Sequence, residues 1–360
     1  MKRAAECMNR RRFLASIGKA AAIPAASALL TDCGSLFNSR PRLNVYNWSD
    51  YVAPDTVANF ERESGLRVRY GTYESNQEML AQVLGGNSGW DVVFPSADFV
   101  GPMRDLGLLA PIRHDLLTNL GALDAAFRRP PWDPDLQWSI PYMHGATGIL
   151  YQRNLMPRPR AWADLWDPRL GGKITMLDDA TEVFGACLKK LGYSVNSAEP
   201  SELRAAAAEA DRQKPLLRAY LNAEVRDQVV AGDVAVAQAW AVTAAQAIAA
   251  APDRLAFAYP AEGFARFADN IAIMRESRRV EAAHRWIDYL LRPPVGASIV
   301  QATRTATCNG AAYVLLPASL RDDAVLYPAA DVLNRGEWFT PQSTASQRLR
   351  DRLWTQMKSS

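Results

Sequence analysis

The chain has 360 residues, with 41 Lys and Arg against 38 Asp and Glu, a formal net charge of +3. The excess is confined to the start: Lys2, Arg3, Arg10, Arg11, Arg12 and Lys19 against Glu6 and Asp32 give +4 upstream of Cys33, leaving the rest near −1. No basic patch remains of the kind that DNA or RNA binding requires, which excludes that class of function.

The first 33 residues read as a targeting segment and are set apart from the fold. Asn9-Arg10-Arg11-Arg12-Phe13-Leu14 resembles a twin-arginine export signal, and the apolar run Ala20 to Leu30 after it is too short to span a bilayer. Leu30-Thr31-Asp32-Cys33 is similar to a lipobox, with Asp32 standing where a small residue is usual, so Cys33 is the expected lipidation site. Of the other cysteines, Cys7 lies in this segment, and Cys187 and Cys308 are expected as two separate buried thiols.

Beyond it, strand and helix patterns alternate. Leu43 to Tyr46 reads as a strand, Asp55 to Ser64 as a helix stopped by Gly65, and Leu66 to Tyr70 as a second strand. Gln77 to Leu84 reads as a helix ended by Gly85-Gly86, and Asp91 to Phe94 as a buried strand broken at Pro95. Such alternation predicts an α/β lobe with a mostly parallel sheet, in which ligands sit beyond the C-terminal ends of the strands. Trp48, Ser49, Asp50, Ser96 and Asp98 all fall there. An indole beside a carboxylate suits an organic cation, because the ring face attracts the charge and the acid neutralises it.

Ile140 to Tyr151 reads as a crossover into a second lobe. Strands are expected at Ile174 to Leu177, Val234 to Trp240, Phe257 to Tyr259 and Asn270 to Met274, and a helix from Ala283 to Leu291 ending at Pro293-Pro294. About 320 residues beyond the leader suit two lobes, and strands crossing between them would form a hinge. Asp179 and Glu182 stand three apart at a helix start, where both converge on one amine or Asp179 only caps the helix and Glu182 faces solvent. His114, His144 and His284 lack metal-ligand spacing, and His144 is expected as a cleft wall or hinge residue. There is no P-loop, G-x-G-x-x-G or G-x-S-x-G, so no cofactor and no enzymatic activity are expected.

From Tyr46-Asn47-Trp48-Ser49-Asp50-Tyr51 onward the chain resembles the periplasmic spermidine/putrescine-binding proteins, the substrate-binding components of polyamine ABC importers. The likeness continues in order through Phe94-Pro95-Ser96, Ile140-Pro141-Tyr142, Asp179 to Phe184, Ala239-Trp240, Pro260-Ala261-Glu262-Gly263, Leu290-Leu291-Arg292-Pro293 and Tyr327-Pro328. It implies an α/β, two-lobed periplasmic-binding-protein fold of type II, a Venus flytrap with its ligand cleft between lobes. One lobe would comprise residues 42–144 plus 268–313, the other 145–267 plus 314–360. It further implies a monomer that captures a polyamine and delivers it to ABC permease subunits in the periplasm, touching the membrane only through a lipid at Cys33. Asp179 and Glu182 match acids that hold amino groups, Trp240 an indole beside the ligand's methylenes, and Phe267 and Asp269 an aromatic–acid clamp. Four positions depart from the family pattern: Asp98, Thr243, Thr305 and Phe339 stand where relatives carry other pocket residues. Another solute, such as a guanidino compound or a sugar, and a sensory role both stay open on this reading.

Overall fold

A computed structural model describes residues 40–359. The residues expected to form an export signal and a lipobox, Cys33 included, lie outside the described residues. The strands are β1 (Arg42–Trp48), β2 (Arg67–Tyr73), β3 (Val92–Val93), β4 (Leu109–Ala110), β5 (Ile140–Gln152), β6 (Ile174–Met176), β7 (Leu217–Tyr220), β8 (Val236–Trp240), β9 (Leu255–Ala258), β10 (Phe264–Met274), β11 (Ala306–Thr307) and β12 (Gly336–Trp338). They form a continuous hydrogen-bonded order β2-β1-β3-β10-β5-β8-β6-β7, with β4 and β12 also on β10, and β9 and β11 on β5.

At one end β1 pairs in parallel with β2 and β3, and at the other β6 pairs in parallel with β7 and β8. Between them run the two longest strands, β5 and β10, antiparallel to each other. Strand β10 reaches β3 on one side while β5 reaches β8 on the other, so both strands belong to each half of the molecule.

Each parallel end is covered by helices. Near β1 to β3 lie α1 (Thr56–Ser64), α2 (Asn76–Leu84) and α3 (Ala97–Asp105), and near β6 to β8 lie α4 (Ala180–Lys190), α5 (Pro200–Gln213), α6 (Val225–Ala231) and α7 (Ala241–Ala250). Helices α8 (Val280–Leu290) and α9 (Pro293–Thr303) follow β10, and the last helix is Thr344–Ser359. The alternation of β1 decides the packing: Leu43 and Val45 join Phe60 and Trp286 on one face, while Tyr46 joins Met79 and Trp90 on the other. The far half has its own two cores, one around Trp162, Phe184 and Phe264, the other around Leu150, Val225 and Ala237. Cys187 and Cys308 are separate, free and buried.

Several expected boundaries move. Strand β1 runs on through Trp48, because its parallel register with β2 is unbroken from Arg42 opposite Arg67 to Trp48 opposite Tyr73. Asp91 to Phe94 contracts to two strand residues. Strand β10 starts at Phe264 rather than Asn270, since Phe264 to Arg266 pair with β12 and Arg266 onward with β5. Pro293-Pro294 do not only end a helix: they open α9, where their missing N–H groups cost nothing. Gly65 ends α1 as expected, in the left-handed conformation (φ 72°) that a glycine adopts without strain.

Candidate functional site

The C-terminal ends of the parallel strands and the N-termini of the helices that follow them meet around one cavity of about 130 Å³. Strand β1 delivers Trp48, Ser49 and Asp50; α2 begins beside it after Ser75; α3 contributes Ser96 and Asp98; α4 contributes Asp179 and Glu182; and the junction of β8 and α7 contributes Trp240 and Thr243. Phe267 and Asp269 come from β10, and Phe339 from the segment after β12. Helix N-termini carry partial positive charge and favour anions. Acids placed on α3 and α4 use that field for themselves and turn the rim toward cations.

Asp269 is 2 % exposed. Ser96 Oγ donates to its Oδ1 at 2.6 Å and the Tyr51 hydroxyl to its Oδ2 at 2.8 Å. Ser96 occupies the cap position of α3 but spends its hydroxyl on Asp269 and makes no side-chain cap bond. Asn76 braces Ser96 from both directions, its amide donating to Oγ at 2.9 Å and its carbonyl accepting from the Ser96 N–H at 3.1 Å. A shift of register between Asp269 and Asn270 separates the two side chains. Asp269 enters the cavity, while Asn270 accepts from the Trp132 indole at 2.9 Å.

Across the cavity, Asp179 caps α4 by accepting from the Glu182 N–H at 2.9 Å. Glu182 does not face solvent: it is 5 % exposed, and Oε1 accepts from Thr147 Oγ1 and from Trp240 Nε1, each at 2.9 Å. Asp179 is therefore a cap, Glu182 does not face solvent, and both acids line the cavity. Glu182 Oε2 has no hydrogen-bond partner among the described residues.

Burial pushes these acids up. The Glu182 carboxyl rises to about 8, with Asp179 and Asp98 adding repulsion against the Trp240 and Thr147 hydrogen bonds. Asp98 rises to about 7 by burial, opposed by its own N–H and aided by Asp179 and Asp269. Asp269 rises to about 6, burial outweighing the Ser96 and Tyr51 donors. Asp179 also rises by burial, held back by the Glu182 and Thr181 N–H groups, and Arg350 acts on it weakly from the last helix. Among the described residues, six acids line the cavity (Asp50, Glu74, Asp98, Asp179, Glu182 and Asp269) and no Lys, Arg or His does. Ionised carboxylates so placed need a cation that the described residues do not supply.

Aromatic walls complete the slot. Trp48 is fixed by its Nε1–H to the Phe94 carbonyl at 2.9 Å, and Trp240 by its bond to Glu182. Phe267 lies over Gly145, its partner across β5, where an added Cβ would stand 2.5 Å from the ring. Phe339 is anchored by its N–H to the Arg266 carbonyl at 3.0 Å, with its ring beside Gly185 of α4.

All the ligand-binding residues expected from the sequence line the cavity except Thr305. Arg304, left-handed at φ 55°, turns the chain at the end of α9 so that Ala306 and Thr307 pair with β5, and Thr305 is enclosed at the turn. His144 is likewise absent from the wall: it packs on Phe127 and Tyr327, with ring centroids 5.0 and 6.1 Å away, and burial lowers its imidazole to about 4. Sequence reasoning missed Tyr51, Glu74, Asn76 and Gln246 on the wall and Thr147 behind Glu182. Only Tyr51 had a local signal, as the residue completing Trp48-Ser49-Asp50.

The chain matches the family model described as "Bacterial extracellular solute-binding protein" over residues 55–324. It is 36% identical over 307 residues to the spermidine/putrescine-binding periplasmic protein of Escherichia coli (strain K12), covering 84% of this chain and 88% of that one. It is 32% identical over 357 residues to the putrescine-binding periplasmic protein PotF of the same organism, covering 93% and 96%. Among solved structures it is similar to the spermidine/putrescine ABC transporter substrate-binding protein PotD from Streptococcus pneumoniae, with a TM-score of 0.77 and 27% identity over 89% of this chain and 99% of that one. The fold shared with it is the two-lobed, mixed α/β fold of periplasmic solute-binding proteins.

Proposed function

Because this chain belongs to the bacterial extracellular solute-binding protein family, we propose that it captures a polyamine and hands it to the permease of an ABC importer. The observation that carries the reading is the cavity wall, with six acids, the aromatic side chains Trp48, Trp240 and Phe267, and no cationic side chain among the described residues. An ammonium over an indole contributes on the order of 2 kcal/mol when desolvated, and each charge-assisted hydrogen bond about 1.5–3 kcal/mol. A few such contacts, less the cost of ordering ligand and lobes, are enough for micromolar or tighter binding.

Capture proceeds by closure. Residues 42–144 plus 268–313 form one lobe and 145–267 plus 314–360 the other, with β5 and β10 as the strands on which they hinge. Asp269, Ser96 and Trp48 bind from the first lobe, Asp179, Glu182 and Trp240 from the second, so the ligand bridges both and holds them shut. No bond of the ligand is made or broken. The protein works as a monomer in the periplasm, exported by the arginine pair Arg10-Arg11 and held to the membrane by lipid at Cys33.

Thermal unfolding of the exported chain with putrescine, cadaverine, agmatine, spermidine and spermine tests the reading, with glucose as a neutral control. Stabilisation by at least one amine and none by glucose supports it. A response to glucose alone, or to no amine, sinks it and leaves the fold only. Labelling of the cell-made protein with a fatty-acid analogue, against a Cys33→Ser variant, tests the anchor separately.

A further inference from the structure

We propose that Asn196 is a positioning residue for this cavity: it holds the segment Phe339–Pro341 as a strap along one edge, with the Phe339 ring against α4. The inference rests on the polyamine reading above and adds to it a residue outside the cavity wall. Strand β12 ends at Trp338, and the chain runs on without regular structure to the last helix, which begins at Thr344. Phe339 lines the cavity. Its ring lies beside Gly185 of α4, 3.9 Å from where an added Cβ would stand. Gly185 follows Glu182 by three residues and so shares its helical face. Two residues on, Pro341 lies against Gly101 of α3, 3.8 Å from a Cβ built there, on the face that carries Asp98. The segment therefore touches helices from both sides of the cavity.

What holds the strap is a short relay of hydrogen bonds. Asn196 donates from Nδ2 to the Trp338 carbonyl at 2.9 Å and accepts at Oδ1 from the Thr340 N–H at 2.9 Å. A residue on a parallel strand opposite Phe339 would make the same pair of bonds, so one side chain replaces a sheet partner where β12 has run out. On the other edge, the Phe339 N–H donates to the Arg266 carbonyl of β10 at 3.0 Å. Asn196 is itself fixed by Arg350 of the last helix, which is 1 % exposed. Arg350 Nη2 donates to the carbonyls of Val195 at 3.2 Å and Ser197 at 2.8 Å, the residues on either side of Asn196. Ser194 Oγ and, at 2.6 Å, Lys189 Nζ both reach Glu337 and fasten the start of the strap. Without the Asn196 amide the strap loses its outer edge. The ring then leaves α4, water enters beside Glu182, and the attraction between acid and ammonium weakens.

The test is a double-mutant cycle on Asn196→Ala and Phe339→Ala, read by calorimetry with spermidine and putrescine on the exported chain. Amide exchange over residues 338–342 is the second readout. Phe339→Ala should weaken binding by roughly tenfold or more, the range for a lost buried ring. Asn196→Ala should weaken it by roughly three- to tenfold, the range of the bonds that aim that ring. In the Phe339→Ala background, Asn196→Ala should cost less than about twofold, because nothing remains to aim. Exchange at residues 339 and 340 should be slow in the native chain and quicken in Asn196→Ala without amine, while β10 stays protected. Losses that multiply in the double variant, or unchanged affinity in Asn196→Ala, overturn the positioning role and leave the polyamine reading standing. A strap that exchanges at free-chain rates in the native protein, with and without amine, overturns the role even if Asn196→Ala does not fold. If the native chain binds neither amine, the polyamine reading falls. Exchange then decides the strap by itself, and unchanged protection in Asn196→Ala overturns it.

Discussion

The indole Nε1 of Trp240 donates to Glu182 Oε1 at 2.9 Å, so the ring that walls the cavity also aims the acid at its end. The two roles separate on substitution. Trp240→Phe keeps most of the wall and removes the donor, and should weaken polyamine binding by roughly three- to tenfold, the range of one hydrogen bond. Trp240→Ala removes both and should cost at least a further tenfold, of order 1–2 kcal/mol for the lost cation–π contact. Calorimetry on the two variants checks this; no loss in Trp240→Phe would show that the hydrogen bond contributes nothing to aiming Glu182, and equal losses in both would show that the ring adds nothing beyond it.

Asp269→Asn should cost roughly 2 kcal/mol or more of binding, because it removes a buried charge from the ligand's partner set. Stability should be unchanged or higher in the empty protein, since the amide oxygen still accepts from Ser96 and no ionised group remains to be enclosed. A melting temperature several degrees lower with unchanged affinity would make Asp269 a structural acid instead.

The pH dependence has a definite sign. Glu182, Asp98 and Asp269 sit at about 8, 7 and 6 in the empty folded chain, against roughly 4 when unfolded. The folded state thus binds more protons than the unfolded one across that window, so these groups contribute stability that is full below about pH 4 and lost as pH rises through 6 to 8. The empty protein should melt higher at pH 5.5 than at pH 8. Binding a cation lowers these values and releases protons, so affinity should rise over the same window and the binding heat should vary with the buffer's ionisation enthalpy. Melting temperatures that rise from pH 5.5 to 8 in the empty protein would contradict the placement of these acids.

Gly145→Ala tests the aromatic wall from behind. An added Cβ would meet the Phe267 ring at 2.5 Å, a separation that forces the ring off β5 and into the cavity. Affinity should fall by roughly tenfold or more, with a stability loss of about 1–3 kcal/mol from overpacking. The double variant Gly145→Ala, Phe267→Leu should recover part of the stability without restoring affinity, and recovery of both would place Phe267 outside the binding wall.

Much of this site was legible because local patterns end where the chemistry begins. Trp48, Ser49, Asp50, Ser96 and Asp98 follow short apolar strands, and the rule that ligands lie beyond strand ends brings them together without knowledge of tertiary contacts. Cation binding followed from indoles beside acids. What stayed hidden depends on distant pairings. The extension of β10 back to Phe264 rests on partners in β5 and β12, and its bulge at Asp269 breaks the alternation a strand would show. Asn76 and Tyr51 look like ordinary surface and core residues until Ser96 and Asp269 fold against them. Thr305 was misplaced because a single left-handed residue, Arg304, decides which way the chain turns after α9.

The most direct measurement is a calorimetric titration of the exported chain with spermidine and putrescine, repeated on the Asp269→Asn, Glu182→Gln double variant. One-to-one binding at micromolar or tighter affinity, lost by a hundredfold or more in the double variant, is expected if buried carboxylates hold the ligand's charges. Equal affinity in both proteins, or no heat with either amine, would contradict a cation-binding cavity.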